Sequence, residues 1–166
     1  MRSVVLWGAA LCTMLLACAK AEIRADNPEP DMDINLNKSV LLNKVNEIRA
    51  SGCKCGQTTM PPVAPLKWND LLASAALNHS KDMLRNNFFD HTSADGRTLG
   101  TRITQAGYVW SAVGENIALG QRNETEVFNS WLNSEGHCKN MMSAKFKEMG
   151  AGRAGNYWTQ DFGSPR

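Results

Sequence analysis

The sequence predicts a mixed α+β domain in which helices occupy the first half and a C-terminal hairpin completes a sheet. Apolar residues recur at helical spacing in the first half, whereas side chains alternate between two faces in the last segment. With 166 residues, the chain is long enough for one domain with a substantial core. Its formal net charge of +2, without a cluster of Lys or Arg, gives no indication of nucleic-acid binding.

The first 17 residues have the layout of a secretory signal. Arg2 precedes an apolar run that is too short to span a bilayer. The run ends in Leu15-Leu-Ala-Cys18, which resembles a bacterial lipobox, where the cysteine becomes the lipid-modified first residue of the mature protein. On this resemblance, Ala19 is compatible with an outer-membrane lipoprotein of the cell envelope. The alternative is an ordinary signal on a secreted soluble protein.

Residues 18–36 follow as a predicted flexible tether. This segment is polar, contains Pro28 and Pro30, and lacks the apolar residues that a folded unit needs. The predicted domain then covers residues 37–166.

Each element of that domain follows from a local pattern. Apolar residues recur at helical spacing from Leu41 to Ile48, and Gly52 follows the end of this first helix. Asn69 is a favourable N-cap for the next helix. The predicted helices cover 37–50, 70–87, 98–106 and 123–132. The predicted strands cover 147–153 and 156–162, and an extended segment begins at 108. The Pro-rich segment 52–65 is predicted to be a loop.

The segment from Trp131 to Met141 is the candidate for function. We interpret Gly136 as the end of a helical run, so that His137 projects from a tight bend. An imidazole held in this way can ligate a metal, shuttle a proton or hydrogen-bond a ligand. The alternative is a buried histidine whose ring nitrogens are satisfied by the protein.

His79 is excluded from the candidate site. It shares the apolar stripe of the second helix with Leu72, Ala76 and Met83. A histidine among apolar neighbours is usually a core residue that hydrogen-bonds the backbone.

The cysteines predict one disulfide and one free thiol. Cys12 lies in the signal and Cys18 is the candidate for lipid attachment, so three cysteines remain in an exported chain. Cys53 and Cys55 are too close in sequence to pair with each other without strain. We expect Cys138 to pair with Cys55, with Cys53 as the alternative. Cys138 as a catalytic thiol beside His137 is disfavoured, because adjacent residues rarely aim their side chains together.

Four motifs together resemble the CAP superfamily, which comprises the cysteine-rich secretory proteins, antigen 5 and the pathogenesis-related 1 proteins, and whose domain is also called SCP. The bacterial branch is the nearer match, and the resemblance covers about residues 37–163. The motifs are Phe89-Asp-His91-Thr-Ser, Gly114-Glu115-Asn116, Trp131-Leu-Asn-Ser-Glu-Gly-His137 with Asn140, and Tyr157-Trp-Thr-Gln-Asp-Phe-Gly163.

The resemblance implies a three-layer α-β-α sandwich with a groove that two histidines and two glutamates line in eukaryotic members. His91 matches the first histidine and Glu115 matches the first glutamate. Ser134 stands where the second glutamate is usual, so Glu135 is a candidate substitute. His137 matches a histidine typical of the bacterial branch and is a candidate for the role of the missing second histidine.

Two kinds of function follow from these groove residues. His91, His137 and Glu115 form a plausible ligand set for zinc or a similar divalent cation, with an open position for water. Without a metal, the same three side chains form a polar groove floor that fixes a ligand. We expect a lipid-anchored surface binding module for a lipid, a small molecule or a cell-envelope ligand. The alternative is a metal-assisted, peptidase-like hydrolase with Glu115 or Glu135 as general base.

The lipobox resemblance makes a direct prediction. Cys18→Ser removes the site of lipid attachment, and we expect the variant to move from the membrane fraction to the soluble fraction. The acyl chains of a lipoprotein together anchor firmly, whereas one chain alone binds only marginally. Fractionation of cells with mass analysis of the N-terminal peptide measures both effects. A soluble, unlipidated wild type contradicts the prediction.

Overall fold

A four-stranded sheet lies between two layers of helices in the computed structural model of the chain, which describes Met1 and residues 34–166. The predicted signal peptide beyond Met1, Cys18 and the predicted tether up to residue 33 lie outside the described residues. In chain order the elements are α1 (Lys38–Ser51), β1 (Cys53–Cys55), β2 (Thr58–Met60), β3 (Lys67–Trp68), α2 (Asp70–Asn86), α3 (Leu99–Gln105), β4 (Trp110–Leu119), α4 (Glu124–Leu132), α5 (Glu135–Met141), β5 (Glu148–Ala154) and β6 (Tyr157–Pro165).

The sheet has the strand order β3-β5-β6-β4, so β4 is an edge strand and β6 is internal. β3 runs parallel to β5, and the other pairs are antiparallel. The residues of β6 are buried on both faces up to Ser164, as expected for a strand covered by helices on both sides. The predicted three-layer α-β-α sandwich is therefore confirmed.

The larger core lies between the sheet and the layer formed by α1, α4 and α5. Trp131 of α4 and Trp158 of β6 are both fully buried there. The apolar stripes predicted from the sequence supply this core, because residues at helical spacing share one face of their helix. Its other buried members are Leu41, Val45, Leu66, Ala118, Val127, Phe128, Met141, Phe146, Met149, Ala151 and Phe162.

The opposite face of the sheet carries α2 and α3. α2 lies very close to β5, because Gly150 and Gly152 have no side chain to hold it away. A Cβ at Gly150 would collide with the backbone of Leu72 and Ala73. The packing of α2 on β5 thus depends on backbone-to-backbone contact.

The predicted helices and C-terminal strands are confirmed, with boundaries that differ by at most three residues. Two interpretations are wrong. The segment 52–65 is not entirely loop, since β1 and β2 form a short antiparallel hairpin within it. Gly136 does not end a helix, because α4 ends at Leu132 and Gly136 is the second residue of α5. His137 consequently projects from a helix, not from a bend.

No helix in the described part of the chain is both long enough and apolar enough to cross a membrane.

The two glycines Gly150 and Gly136 form a matched pair for testing this packing. Gly150→Ala should lower the free energy of unfolding by about 1–3 kcal/mol, because the added methyl group overpacks the contact with α2. Gly136→Ala should be neutral or stabilising by up to about 1 kcal/mol, since a Cβ there meets open space on a helix. Urea unfolding measures both. Equal unfolding midpoints for Gly150→Ala and the wild type would contradict the close contact.

Candidate functional site

The site lies along the free edge of β4, between α3 on one side of the sheet and α5 on the other. Successive residues of a strand point to opposite faces. Glu115 stands opposite Asp161 of β6 and reaches towards α3. Asn116 stands opposite Gln160 and reaches towards α5. The motif Gly114-Glu115-Asn116 therefore supplies one polar group to each side of the same edge.

Glu115 is the centre of a buried ion network. Its side chain is 2% exposed, and both of its oxygens are engaged. The Nη2 group of Arg102 donates to Oε2 at 2.5 Å, and Nδ1 of His91 donates to Oε1 at 2.7 Å. A buried carboxylate requires such partners, because an unpaired charge in the core is very costly.

Arg102 is the residue of this network that the sequence did not indicate. Its side chain is only 3% exposed and also fixes the loop that carries His91. Its Nη1 group donates to the backbone oxygens of His91 at 2.8 Å and of Arg97 at 3.2 Å. No motif marked Arg102, and a single arginine in a short helix is ordinarily read as a surface residue.

His91 is the accessible end of the network. Its side chain is 56% exposed, and Nε2 has no hydrogen-bond partner among the described residues. The hydrogen bond to Glu115 is the main reason that the pKa of His91 is raised, and desolvation opposes it. His91 thus presents a donor that is more often charged than that of a free imidazole.

His137 reaches the same edge from α5, and its imidazole interacts electrostatically with that of His91. Burial lowers the pKa of His137, and the charge of His91 lowers it further. His137 is accordingly neutral near pH 7 and retains an acceptor nitrogen. The side-chain amide of Asn116 donates to the backbone oxygen of His137 at 3.2 Å and fixes this turn of α5.

Asn140 and Trp131 protect the free edge of β4. The Asn140 amide donates to the backbone oxygen of Glu115 at 3.0 Å and to Oδ1 of Asn116 at 2.9 Å. The Trp131 indole donates to the backbone oxygen of Ile117 at 3.2 Å. These bonds satisfy edge carbonyls that would otherwise lack partners. They also give a structural reason for the positions of the Trp131 and Asn140 motif residues.

Ser134 and Glu135 stand apart from the ion network. Ser134 occupies the N-cap position of α5 but makes no side-chain cap hydrogen bond. Glu135 is exposed, pairs with Lys139 at 2.5 Å and accepts a hydrogen bond from Thr58 at 3.4 Å. No described hydrogen bond or ion pair joins either residue to His91, Glu115 or His137.

Asp161 lies within the fourth motif, residues 157–163, but nothing in the sequence marked it as a site residue. It is fully buried, and neither of its oxygens meets a hydrogen-bond donor among the described residues. Desolvation, followed by the negative charge of Glu115 opposite, raises the pKa of Asp161 well above its usual range, although Arg102 opposes this shift. Asp161 therefore retains its proton to a higher pH than an ordinary aspartate does.

His79 is a core residue, as predicted. It is fully buried, and its Nε2 donates to the backbone oxygen of Asp90 at 2.9 Å. This bond fixes the start of the loop that leads to His91.

The expected disulfide between Cys55 and Cys138 is confirmed, and Cys53 is the free thiol. Cys53 Sγ lies 3.9 Å from Cys55 Sγ and 3.8 Å from Cys138 Sγ. Desolvation raises the pKa of the Cys53 thiol. Because Cys138 is bonded to Cys55, it is not available as a catalytic thiol.

The expected cation site does not fit the side chains as they are placed. A metal site needs at least three ligand atoms from His, Cys, Asp or Glu close together. Within the described residues, the three cysteines form such a group, with their sulfur atoms within 4.8 Å of one another. His91, Glu115 and His137 do not form such a group. Arg102 and His91 also engage both oxygens of Glu115.

Comparison with known proteins identifies relatives of the domain. The model of the cysteine-rich secretory protein family (CAP) matches residues 42–162. The Bacillus subtilis (strain 168) protein YkwD is 38% identical over 100 residues, which are 59% of this chain and 39% of YkwD. The chain thus spans well under half the length of this curated relative.

Solved structures share the fold. An extracellular protein containing an SCP domain from Bacillus anthracis str. Ames aligns with a TM-score of 0.68 and 33% identity, over 75% of this chain and 39% of that protein. An outer surface protein from Borrelia burgdorferi aligns with a TM-score of 0.65 and 21% identity, over 77% of this chain and 92% of that protein. NaASP2, whose structure was determined with Zn²⁺, shares the fold at a TM-score of 0.53 and 16% identity, over 79% of this chain and 82% of that protein.

The buried carboxyl of Asp161 makes the stability of the domain depend on pH. Above about pH 4 the unfolded chain releases a proton that folded Asp161 retains, so its contribution to stability falls with rising pH, by up to about 1.4 kcal/mol per pH unit. This loss continues until the pH passes the raised pKa of folded Asp161.

Asp161→Asn removes this loss, because the amide is neutral at every pH and has nearly the same shape. The variant should gain stability relative to the wild type as the pH rises above about 4, until the pH passes the raised pKa of folded Asp161. Urea unfolding at several pH values measures the difference, and exposed Glu47→Gln controls for the removal of one carboxylate. A stability difference that does not change with pH would contradict the assignment.

Proposed function

The chain belongs to the cysteine-rich secretory protein (CAP) family, and we propose that it is an exported binding module whose groove at the edge of β4 holds a ligand between His91 and His137. The observation that carries this proposal is the engagement of both Glu115 oxygens by Arg102 and His91. Glu115, the candidate general base of a hydrolase, is therefore engaged in structural hydrogen bonds to Arg102 and His91.

A general base must reach the proton that it removes, either directly or through one water molecule. Glu115 is 2% exposed, and its two nearest partners donate hydrogen bonds to it. Glu135 is exposed, but it pairs with Lys139 and Thr58 outside the network. Both candidate bases of the hydrolase alternative are thus poorly placed, which favours binding over hydrolysis.

The two histidines offer complementary hydrogen-bonding groups to a ligand. His91 has a raised pKa, and its Nε2 has no hydrogen-bond partner among residues 34–166, so it supplies a donor that is charged in the protonated form. His137 has a lowered pKa and supplies a neutral ring. Such a pair suits a ligand with an acceptor group, such as a carboxylate, beside a hydroxyl. Exposed Phe89, two residues before His91, offers apolar surface for the rest of the ligand.

We place the protein outside the cytoplasm. The relatives of known structure include an extracellular protein and an outer surface protein. The signal-like segment and Leu15-Leu-Ala-Cys18 support export with a lipid anchor in the cell envelope. The ligand is consequently one that is present at the cell surface: a lipid, a small molecule or a fragment of the envelope.

NMR signals of the histidine rings test the proposal directly. The full chain is titrated separately with ZnCl₂, a short-chain fatty acid and a soluble cell-wall glycan fragment. We expect one organic probe to shift the His91 and His137 signals, and His91→Ala/His137→Ala to weaken its binding by at least about tenfold, since each lost charged hydrogen bond costs about 1.5–3 kcal/mol. Exposed Lys81→Ala is the control for a change at the surface.

The same preparations separate binding from hydrolysis. Calorimetry with ZnCl₂ compares the wild type with the double variant, and peptidase assays are run with and without the metal. We expect no metal-dependent turnover. Metal-dependent turnover that disappears in Glu115→Gln would overturn the binding-module proposal in favour of the hydrolase.

A further inference from the structure

Three sulfur atoms meet where β1 packs against α5, outside the groove. Cys53 and Cys55 are separated by one residue in a strand, so both side chains point to the same face and Lys54 points to the other. That face lies against Cys138 of α5. The result is a free thiol that lies 3.8 Å from one sulfur of a disulfide and 3.9 Å from the other.

This placement meets the geometric demand of thiol–disulfide exchange. A thiolate attacks one sulfur of a disulfide and displaces the other. To form a bond with Cys138, the sulfur of Cys53 must move from 3.8 Å to about 2.0 Å. Because Cys53 Sγ is almost equally distant from both bonded sulfurs, it lies beside the disulfide. Rotation of the Cys53 side chain is needed to align its sulfur with the bond between Cys55 and Cys138. The backbone of β1 already places both cysteines within reach.

We propose that Cys53, Cys55 and Cys138 form a thiol–disulfide exchange site, in which Cys53 and Cys55 alternate as the partner of Cys138. The Cys53 thiol first loses its proton to solvent. Its thiolate then forms a bond with Cys138 Sγ as the bond between Cys55 and Cys138 breaks. Cys55 leaves with the electron pair and takes up a proton, so no external oxidant or reductant is consumed.

The two isomers differ in which thiol is presented. With Cys55 bridged, the free thiol is half-buried Cys53. With Cys53 bridged, the free thiol is Cys55, which is fully buried beside Met142. Exchange therefore replaces a half-buried thiol by a fully buried one, which external disulfides and electrophiles reach less readily. α5 stays covalently tethered in both isomers, so the helix that carries His137 and Asn140 is not released.

The bridge between Cys55 and Cys138 is the major form for a physical reason. Its sulfurs are fully buried in an apolar cluster, where a disulfide is better accommodated than a thiol or thiolate. Cys53 lies closer to solvent and tolerates the free thiol. We expect the isomer bridged through Cys53 to be a minor form, on the order of 1–10% of the chains.

Tryptic mapping can distinguish the isomers, because trypsin cleaves after Lys54 and separates Cys53 from Cys55. The full chain is incubated at about pH 8.5 and quenched with acid, which stops exchange by removing the thiolate. The free thiols are then alkylated under denaturing conditions at about pH 5. We expect a minor set of chains in which Cys55 is alkylated and Cys53 is linked to Cys138, at a level that does not depend on protein concentration.

Two single cysteine variants, each lacking one of the two possible partners of Cys138, test the exchange. Cys55→Ser should fold with nearly all of its Cys138 linked to Cys53. Cys53→Ser should keep the bridge between Cys55 and Cys138 and show no alkylated Cys55. Alkylated Cys55 in Cys53→Ser would mean reduction without exchange and would overturn the proposal.

Two further outcomes would also overturn it. One is a folded Cys55→Ser variant with a free Cys138 thiol. The other is a wild type without detectable linkage between Cys53 and Cys138. If Cys55→Ser fails to fold, the wild-type measurement decides alone.

Discussion

The buried ion pair between Arg102 and Glu115 is the contact on which the arrangement at the edge of β4 depends. Arg102 binds the carboxylate of β4 and the backbone of the loop that carries His91, so one side chain fixes α3, the loop and the sheet edge together. Both partners are almost completely buried. Removal of either one would leave an uncompensated charge in the core, at a cost of about 3–5 kcal/mol. The orientation of His91 is therefore tied to the stability of the domain.

On the other side of the sheet, α5 is held by polar bonds and by a disulfide. Asn116 and Asn140 connect α5 to the edge of β4 through amide hydrogen bonds. The bridge from Cys138 to Cys55 spans 83 residues, and in the chain-entropy model it contributes about 4–5 kcal/mol by restricting the unfolded chain. The two histidines thus have different supports: an ion pair positions His91, while amides and a disulfide position His137.

The buried polar groups at the edge of β4 are arranged for specificity more than for stability. Asp161 is buried without a donor among the described residues and faces the carboxylate of Glu115 across the strands. An apolar residue would be less costly to bury at that position. Such a pair makes the surrounding network sensitive to its protonation state, which is typical of sites built for chemistry or recognition. We interpret the edge of β4 as a preformed polar surface, beside which we propose His91 and His137 as the groups that contact a ligand.

The sequence by itself determined the features that depend on local spacing. Apolar periodicity identified α1, α2 and α4, strand alternation identified β5 and β6, and the motifs identified His91, Glu115, His137 and Asn140. Only the tertiary structure decided the partners of those residues, because ion pairs and strand register join positions far apart in the chain. Arg102 lies in no motif, and Asp161 lies in one that does not reveal its role. Both roles arise only when α3 and β6 meet β4. Gly136 misled the sequence interpretation for the same reason: a glycine exposed on a helix and a glycine that ends one look alike until the neighbouring backbone is known.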